Sequence, residues 1–148
     1  MEINERIKSR RESLGKDPVD LASRCEMSIH EYDDLEDYAD EAISVVPLKK
    51  MACICRELSI DIQELYFGVV KDAPIVTAES LRNCRTAKGM TTSDLSDEIG
   101  IYDWSIAELE ADIRNVGKWV FEDVVAIAKC LGLPVESLIS THVLGDAP

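Results

Sequence analysis

Apolar positions recur at helical spacing along the whole chain, and turn residues cut them into short segments. Ile7, Arg11 and Leu14 fall on one face of a first predicted helix that Gly15 stops. Asp17-Pro18 supplies an N-cap with proline at the first helical position, opening a second helix through Cys25 with Leu21 and Ala22 turned inward. Met27-Ser28 turns the chain, and Ser28 caps a third helix carrying Ile29, Tyr32 and Leu35-Glu36. A looser stretch from Tyr38 to Ser44 leads to Pro47. Beyond it Leu48, Met51, Ile54, Cys55 and Leu58 form an amphipathic fourth helix, and Ser59-Ile60-Asp61 caps a short fifth one holding Ile62 and Leu65.

The same series then starts again. At an offset of 74 residues Leu14-Gly15 falls near Lys88-Gly89, Leu21 meets Leu95, Tyr32 meets Ile106, and Leu35-Glu36 meets Leu109-Glu110. At an offset of 73, Leu48 meets Phe121, Met51 meets Val124, Ile54 meets Ile127, Leu58 meets Leu131 and Leu65 meets Leu138. The change of one residue falls in a loop, where length is tolerated. The second set of helices is predicted over 81–89, 92–99, 102–110, 121–131 and 134–139, with a loop around Asn115-Val116-Gly117. The expectation is an all-α chain of two consecutive units, 1–70 and 78–148, joined by a linker at 71–77.

Composition narrows the function classes. The 148 residues are 46% hydrophobic and 30% charged with mean hydropathy −0.07, a globular composition without a run long enough for a membrane helix. The start, Met1-Glu2-Ile3-Asn4-Glu5-Arg6, lacks the apolar run of a signal peptide, so a cytoplasmic location is expected. Cys25, Cys53, Cys55, Cys84 and Cys130 show no metal spacing, and His30 and His142 lie far apart; reduced thiols and no metal are expected. No glycine-rich phosphate loop or nucleophile–base pattern stands out, and the expectation is a non-enzymatic protein without a cofactor. The net charge is −13, from 16 basic and 29 acidic residues.

The repeated order of features resembles the Cro/phage-repressor type of helix-turn-helix domain. Ile7, Arg11, Leu14-Gly15, Leu21-Ala22, Met27-Ser28, Tyr32 and Leu35-Glu36 carry the likeness in the first copy. Leu81, Arg85, Gly89, Leu95, Ile99-Gly100-Ile101, Ile106 and Leu109-Glu110 carry it in the second. The resemblance implies two five-helix domains in which the third helix of each lies in a DNA major groove. Ser28, His30, Tyr102, Trp104 and Ser105 would then face DNA, with Arg6 and Arg10 on the backbone.

The residues at those positions depart from the family's pattern. Pro18 and Thr92 stand where a glutamine is expected, and Pro18 has no donor to offer a phosphate. Between Glu26 and Glu41 there are eight acids and no lysine or arginine. A carboxylate about 6 Å from a phosphate is repelled by roughly 0.7 kcal/mol in water-like dielectric, and exchanging a basic contact for an acidic one swings about twice that. Several such positions erase the roughly 5 to 8 kcal/mol of non-specific DNA binding. The residues therefore point to a fold turned to protein recognition, immunity-, antitoxin- or anti-repressor-like, which binds a basic protein such as a toxin, nuclease or DNA-binding protein. Glu31, Asp33, Asp34, Asp37, Asp40 and Glu41, with Asp103, Trp104 and Glu108 of the second copy, are its candidate contacts. The alternative is a DNA-binding regulator in which the two copies form a monomeric pseudo-dimer. Trp119, just ahead of the second copy's fourth helix, reads as core.

Overall fold

The computed structural model describes residues 1–145, and among them every regular element is helical. Ten α-helices follow one another: α1 (Ile3–Ser13), α2 (Pro18–Arg24), α3 (Ile29–Asp37), α4 (Leu48–Glu57), α5 (Ile62–Phe67), α6 (Ala78–Ala87), α7 (Thr92–Ile99), α8 (Asp103–Ala111), α9 (Phe121–Leu131) and α10 (Thr141–Leu144). A π turn spans Glu41–Val45, and 3-10 turns span Ile113–Lys118 and Val135–Ser137. Among the described residues no single helix is long and apolar enough to cross a membrane.

Helix starts follow local chemistry. The Asp17 carboxylate accepts from the Val19 amide at 3.2 Å, and Pro18 sits where its missing N–H would have had no partner. Ser28 Oγ accepts from Glu31 N at 3.1 Å, and Thr91 and Asp94 satisfy each other's amides reciprocally. Gly100 ends α7 at φ +74°, a left-handed conformation that costs other residues more.

Elsewhere the structure differs from expectation. Leu14 is not inward-facing: it sits at the C-cap of α1, 41% exposed, one step past the last inward turn. The looser stretches before α4 and α9 are the π turn and the first 3-10 turn. The predicted helix over 134–139 shortens to the turn Val135–Ser137, and Ser140 caps a further helix, α10, through the Val143 amide. Trp119 is buried just ahead of α9.

The Leu-Glu pair that recurs in the sequence turns out to be half of a buried ion pair made twice. Arg11 Nε and Nη2 donate to Glu36 at 2.6 and 3.0 Å; Arg85 donates likewise to Glu110 at 2.7 and 2.8 Å. Each arginine also donates Nη1 to the carbonyl that follows its own helix, Lys16 O or Met90 O. The carboxylates hold both guanidiniums above their ordinary pKa. These pairs tie α1 to α3 and α6 to α8, and so fix the pose of α3 and α8.

The two halves pack against each other reciprocally. The π turn lies on α9, and the Ile113–Lys118 turn lies on α4. Ser44 Oγ donates to Glu122 at 3.0 Å, while at the position one repeat further on Gly117 meets Lys49, the repeat mate of Glu122. A side chain on Gly117 would put its Cβ 3.3 Å from Lys49 Cβ, so that Lys49 would have to give by a few tenths of an ångström. Tyr66 stacks on Phe121 with ring centroids 4.3 Å apart, and Leu48 N donates to Trp119 O. Buried Gln63 donates Nε2 to Glu136 O at 2.9 Å and accepts from Lys71 N at 3.0 Å, joining α5, the connecting segment and the second half. At the two turns, residues one sequence repeat apart thus face each other across the chain.

Candidate functional site

Because α3 is pinned by Arg11 and by its buried Tyr32 and Leu35, its other faces are left to solvent. Asp33, Asp34 and Asp37 are exposed there and make no ion pair among the described residues. Asp40 is exposed and Glu41 half-buried at the start of the π turn. Glu41 is held above the usual carboxylate range by burial and by repulsion from Asp34 and Asp40. Glu31 is different: Lys50 donates to it at 3.2 Å, and that bond together with the Ser28 cap lowers its pKa. His30 and Ser28 are exposed at the start of the helix.

On the second half, Tyr102 and Trp104 are 73% and 59% exposed and stack on each other at 5.9 Å. Asp103 lies exposed between them, and Ser105 is half-buried behind. Glu108, half-buried, accepts from Lys118 Nζ at 2.9 Å. The sequence-predicted contacts thus form two patches, one built on α3 and the π turn, the other on the first turns of α8.

Arg6 and Arg10, the expected phosphate contacts, are engaged internally. Arg6 Nη1 donates to Leu65 O at 2.9 Å, and Arg10 Nε donates to Leu58 O at 2.9 Å. Both carbonyls close helix ends that have no intrahelical partner. Lys16 Nζ donates to Glu57 O in the same way. The basic face of α1 is in large part a set of helix caps.

Sequence reasoning missed a second constellation. Cys25, at the C-cap of α2, and Cys53, on α4, are joined as a disulfide with Cα atoms 5.6 Å apart, so the expectation of five reduced thiols is corrected for this pair. Cys55 is a buried free thiol, pushed up to about 12 by burial. The disulfide borders a groove of about 780 Å³ between α2, α4, the Ile113–Lys118 turn and α10, lined by Arg24, Lys49, Lys50, Arg56 and Lys118. The pairing spans 28 residues and depends on α2 packing against α4, so no local spacing announces it. Only the concentration of lysine and arginine on α4 was visible in sequence.

Comparison of the chain with protein-family models, curated proteins and solved structures finds no match.

Proposed function

We propose that this chain is a non-enzymatic binding protein built from two repressor-like helix-turn-helix units, 1–70 and 78–148, whose acidic surface captures and neutralises a basic protein. The observation that carries the reading is the state of α3. Asp33, Asp34 and Asp37 stand exposed and make no ion pair among the described residues, on the helix that the family resemblance assigns to the partner. The basic side chains that would offset them, Arg6, Arg10 and Arg11, are spent on helix ends and on Glu36. One-sign surfaces of this kind steer an oppositely charged partner and raise its encounter rate. The exposed Tyr102–Trp104 stack supplies the aromatic area from which binding hot spots are commonly built. The exposed charges of the two patches are carboxylates, which repel a phosphate backbone where a basic contact would attract it.

The test is affinity capture from the native host with the wild-type chain and with Asp33→Lys/Asp34→Lys/Asp37→Lys. The reading expects a basic protein retained by the wild type, released by raised salt and lost from the variant. Retention that is indifferent to the three substitutions, or a gain of DNA affinity with no loss of protein partner, rejects it.

A further inference from the structure

We infer that the groove beside the Cys25–Cys53 disulfide binds a compact organic polyphosphate of nucleotide size. Arg24 comes from α2, Lys49, Lys50 and Arg56 from α4, and Lys118 from the turn that closes the far side. Two carboxylates, Glu26 and Glu57, share the lining, and Glu57 is already paired with Lys16 at 3.7 Å. The groove therefore carries a surplus of positive charge inside a chain of net charge −13. Asp20, Glu31 and Glu108 sit against three of these cations, which leaves Lys49 and Arg56 to meet an anion first; at physiological ionic strength the screening length is about 8 Å, so acids farther away count for less.

The geometry favours a small ligand over a flat surface. A volume of about 780 Å³ lies within the usual span of small-molecule sites, roughly 300 to 1,000 Å³. Pro47, Ala52, Cys53 and Leu144 supply apolar wall that a phosphate chain alone would leave uncovered and an organic body would fill. Arg24 and Arg56 can each grip a phosphate in the bidentate manner. Three of the cations hold carboxylates of this chain in the meantime: Lys50 on exposed Glu31, Arg24 on exposed Asp20 and Lys118 on half-buried Glu108. Exposed pairs of this sort are weak, so a ligand with three or four charges displaces them. Lys49 and Arg56 make no ion pair among the described residues and stand ready.

The second half shows that the site is particular to this side. Stepping one repeat along, Lys49 and Lys50 become Glu122 and Asp123 and Arg24 becomes Glu98, while Arg56 stays basic as Lys129, and the two cysteines become Ile99 and Ala126. The corresponding seam has two acids for the two lysines and no cysteine pair, and α10 packs on the first seam, against α4 and the Ile113–Lys118 turn.

Isothermal titration of the full oxidised chain with ATP and, separately, with tripolyphosphate, in EDTA at 0.15 M salt, tests the site. The expected result is saturable one-to-one binding of ATP that Lys49→Glu/Arg56→Glu weakens at least tenfold and the milder Lys49→Gln/Arg56→Gln weakens less. Asp97→Asn/Glu98→Gln, which changes net charge on exposed positions of α7 outside the groove lining, should leave the affinity within twofold. Circular dichroism confirms that each variant is folded, as these side chains are exposed or lie on the groove's rim. Tighter binding of ATP than of tripolyphosphate supports an organic body on the apolar wall, whereas tripolyphosphate bound as tightly as ATP or more tightly overturns the organic ligand. Absence of binding at millimolar ATP and tripolyphosphate, binding that ignores both groove variants, or groove-dependent retention of duplex DNA alone overturns it.

Discussion

The two seams where the halves meet are built alike and charged oppositely. On one, the Ile113–Lys118 turn lies against α4, with Lys49, Lys50, Arg56 and Lys118 around a groove. On the other, the Glu41–Val45 turn lies against α9, where Glu122 and Asp123 replace Lys49 and Lys50 and Lys129 stands at the Arg56 position. The apolar skeleton is the same, since Leu48, Met51 and Ile54 are buried on α4 and Val124 and Ile127 on α9. What differs is confined to side chains that the fold leaves free. The backbone contact is therefore a shared requirement, whereas the charge is a separate property of each side.

The largest expected effect falls on what the halves have in common. Glu36→Ala and Glu110→Ala should each cost about 3–5 kcal/mol, because either leaves a nearly buried arginine without its partner. Urea denaturation of both variants sharpens the comparison. Near-equal losses mean that the repeat is energetic as well as geometric, and a loss under about 1 kcal/mol in one alone would mean that only the other half relies on its pair.

Next comes a feature of one side only. Closing a 28-residue separation by the Cys25–Cys53 bond should stabilise the chain by about 3 kcal/mol on the chain-entropy account. Cys53→Ser, or reductant added to the wild type, should lower the melting temperature accordingly, while reductant should leave Cys53→Ser unchanged. Reductant-independent melting of the wild type would remove the cross-link from the comparison.

Gly117 and Ser44 are repeat mates on opposite seams. Gly117→Ala must push against Lys49 and should cost about 1–2 kcal/mol, whereas Ser44→Ala loses only an exposed hydrogen bond to Glu122 and should cost less than about 1 kcal/mol. Thermal melts of the two side by side decide it.

The smallest effect concerns Asp123, the mate of Lys50. Burial first and Glu122 second hold its carboxyl above the ordinary range, so the folded state takes up its proton more readily than the unfolded chain. Its charged form thus works against folding at neutral pH, and that cost fades as pH falls through its raised pKa. Asp123→Asn should stabilise by a few tenths of a kcal/mol, roughly, at pH 7 and by nothing once the medium is acidic enough to protonate the wild type. A benefit that persists unchanged at low pH would trace to something other than ionisation.

Much of this was legible in the sequence, and the reasons are local. Asp17-Pro18, Ser28, Thr91 and Gly100 mark helix ends through contacts with their own neighbours, so their roles follow from order alone. The apolar face of α4 appears directly as Leu48, Met51, Ile54 and Cys55. The repeat pointed to Leu-Glu as shared core, yet the partner of each glutamate lies 25 residues upstream and only packing brings them together. Arg6 and Arg10 looked available because a sequence does not show which carbonyls a helix end leaves open. The Cys25–Cys53 pair and the basic groove need α2, α4 and the far turn placed in three dimensions. In the second half Val135–Ser137 tightened to a 3-10 turn, because a new cap at Ser140 starts α10 directly afterwards.

On the function proposed, the faces of α3 and α8 repel nucleic acid and receive a cationic protein. Fluorescence anisotropy of the unmodified chain with a pool of labelled host promoter duplexes at 0.15 M salt tests this most directly. The expected result is no saturation at micromolar protein, with Asp33→Lys/Asp34→Lys/Asp37→Lys binding DNA more tightly than the wild type. Nanomolar, sequence-selective binding by the wild type, weakened by those same substitutions, would contradict it and leave a DNA-binding regulator in its place.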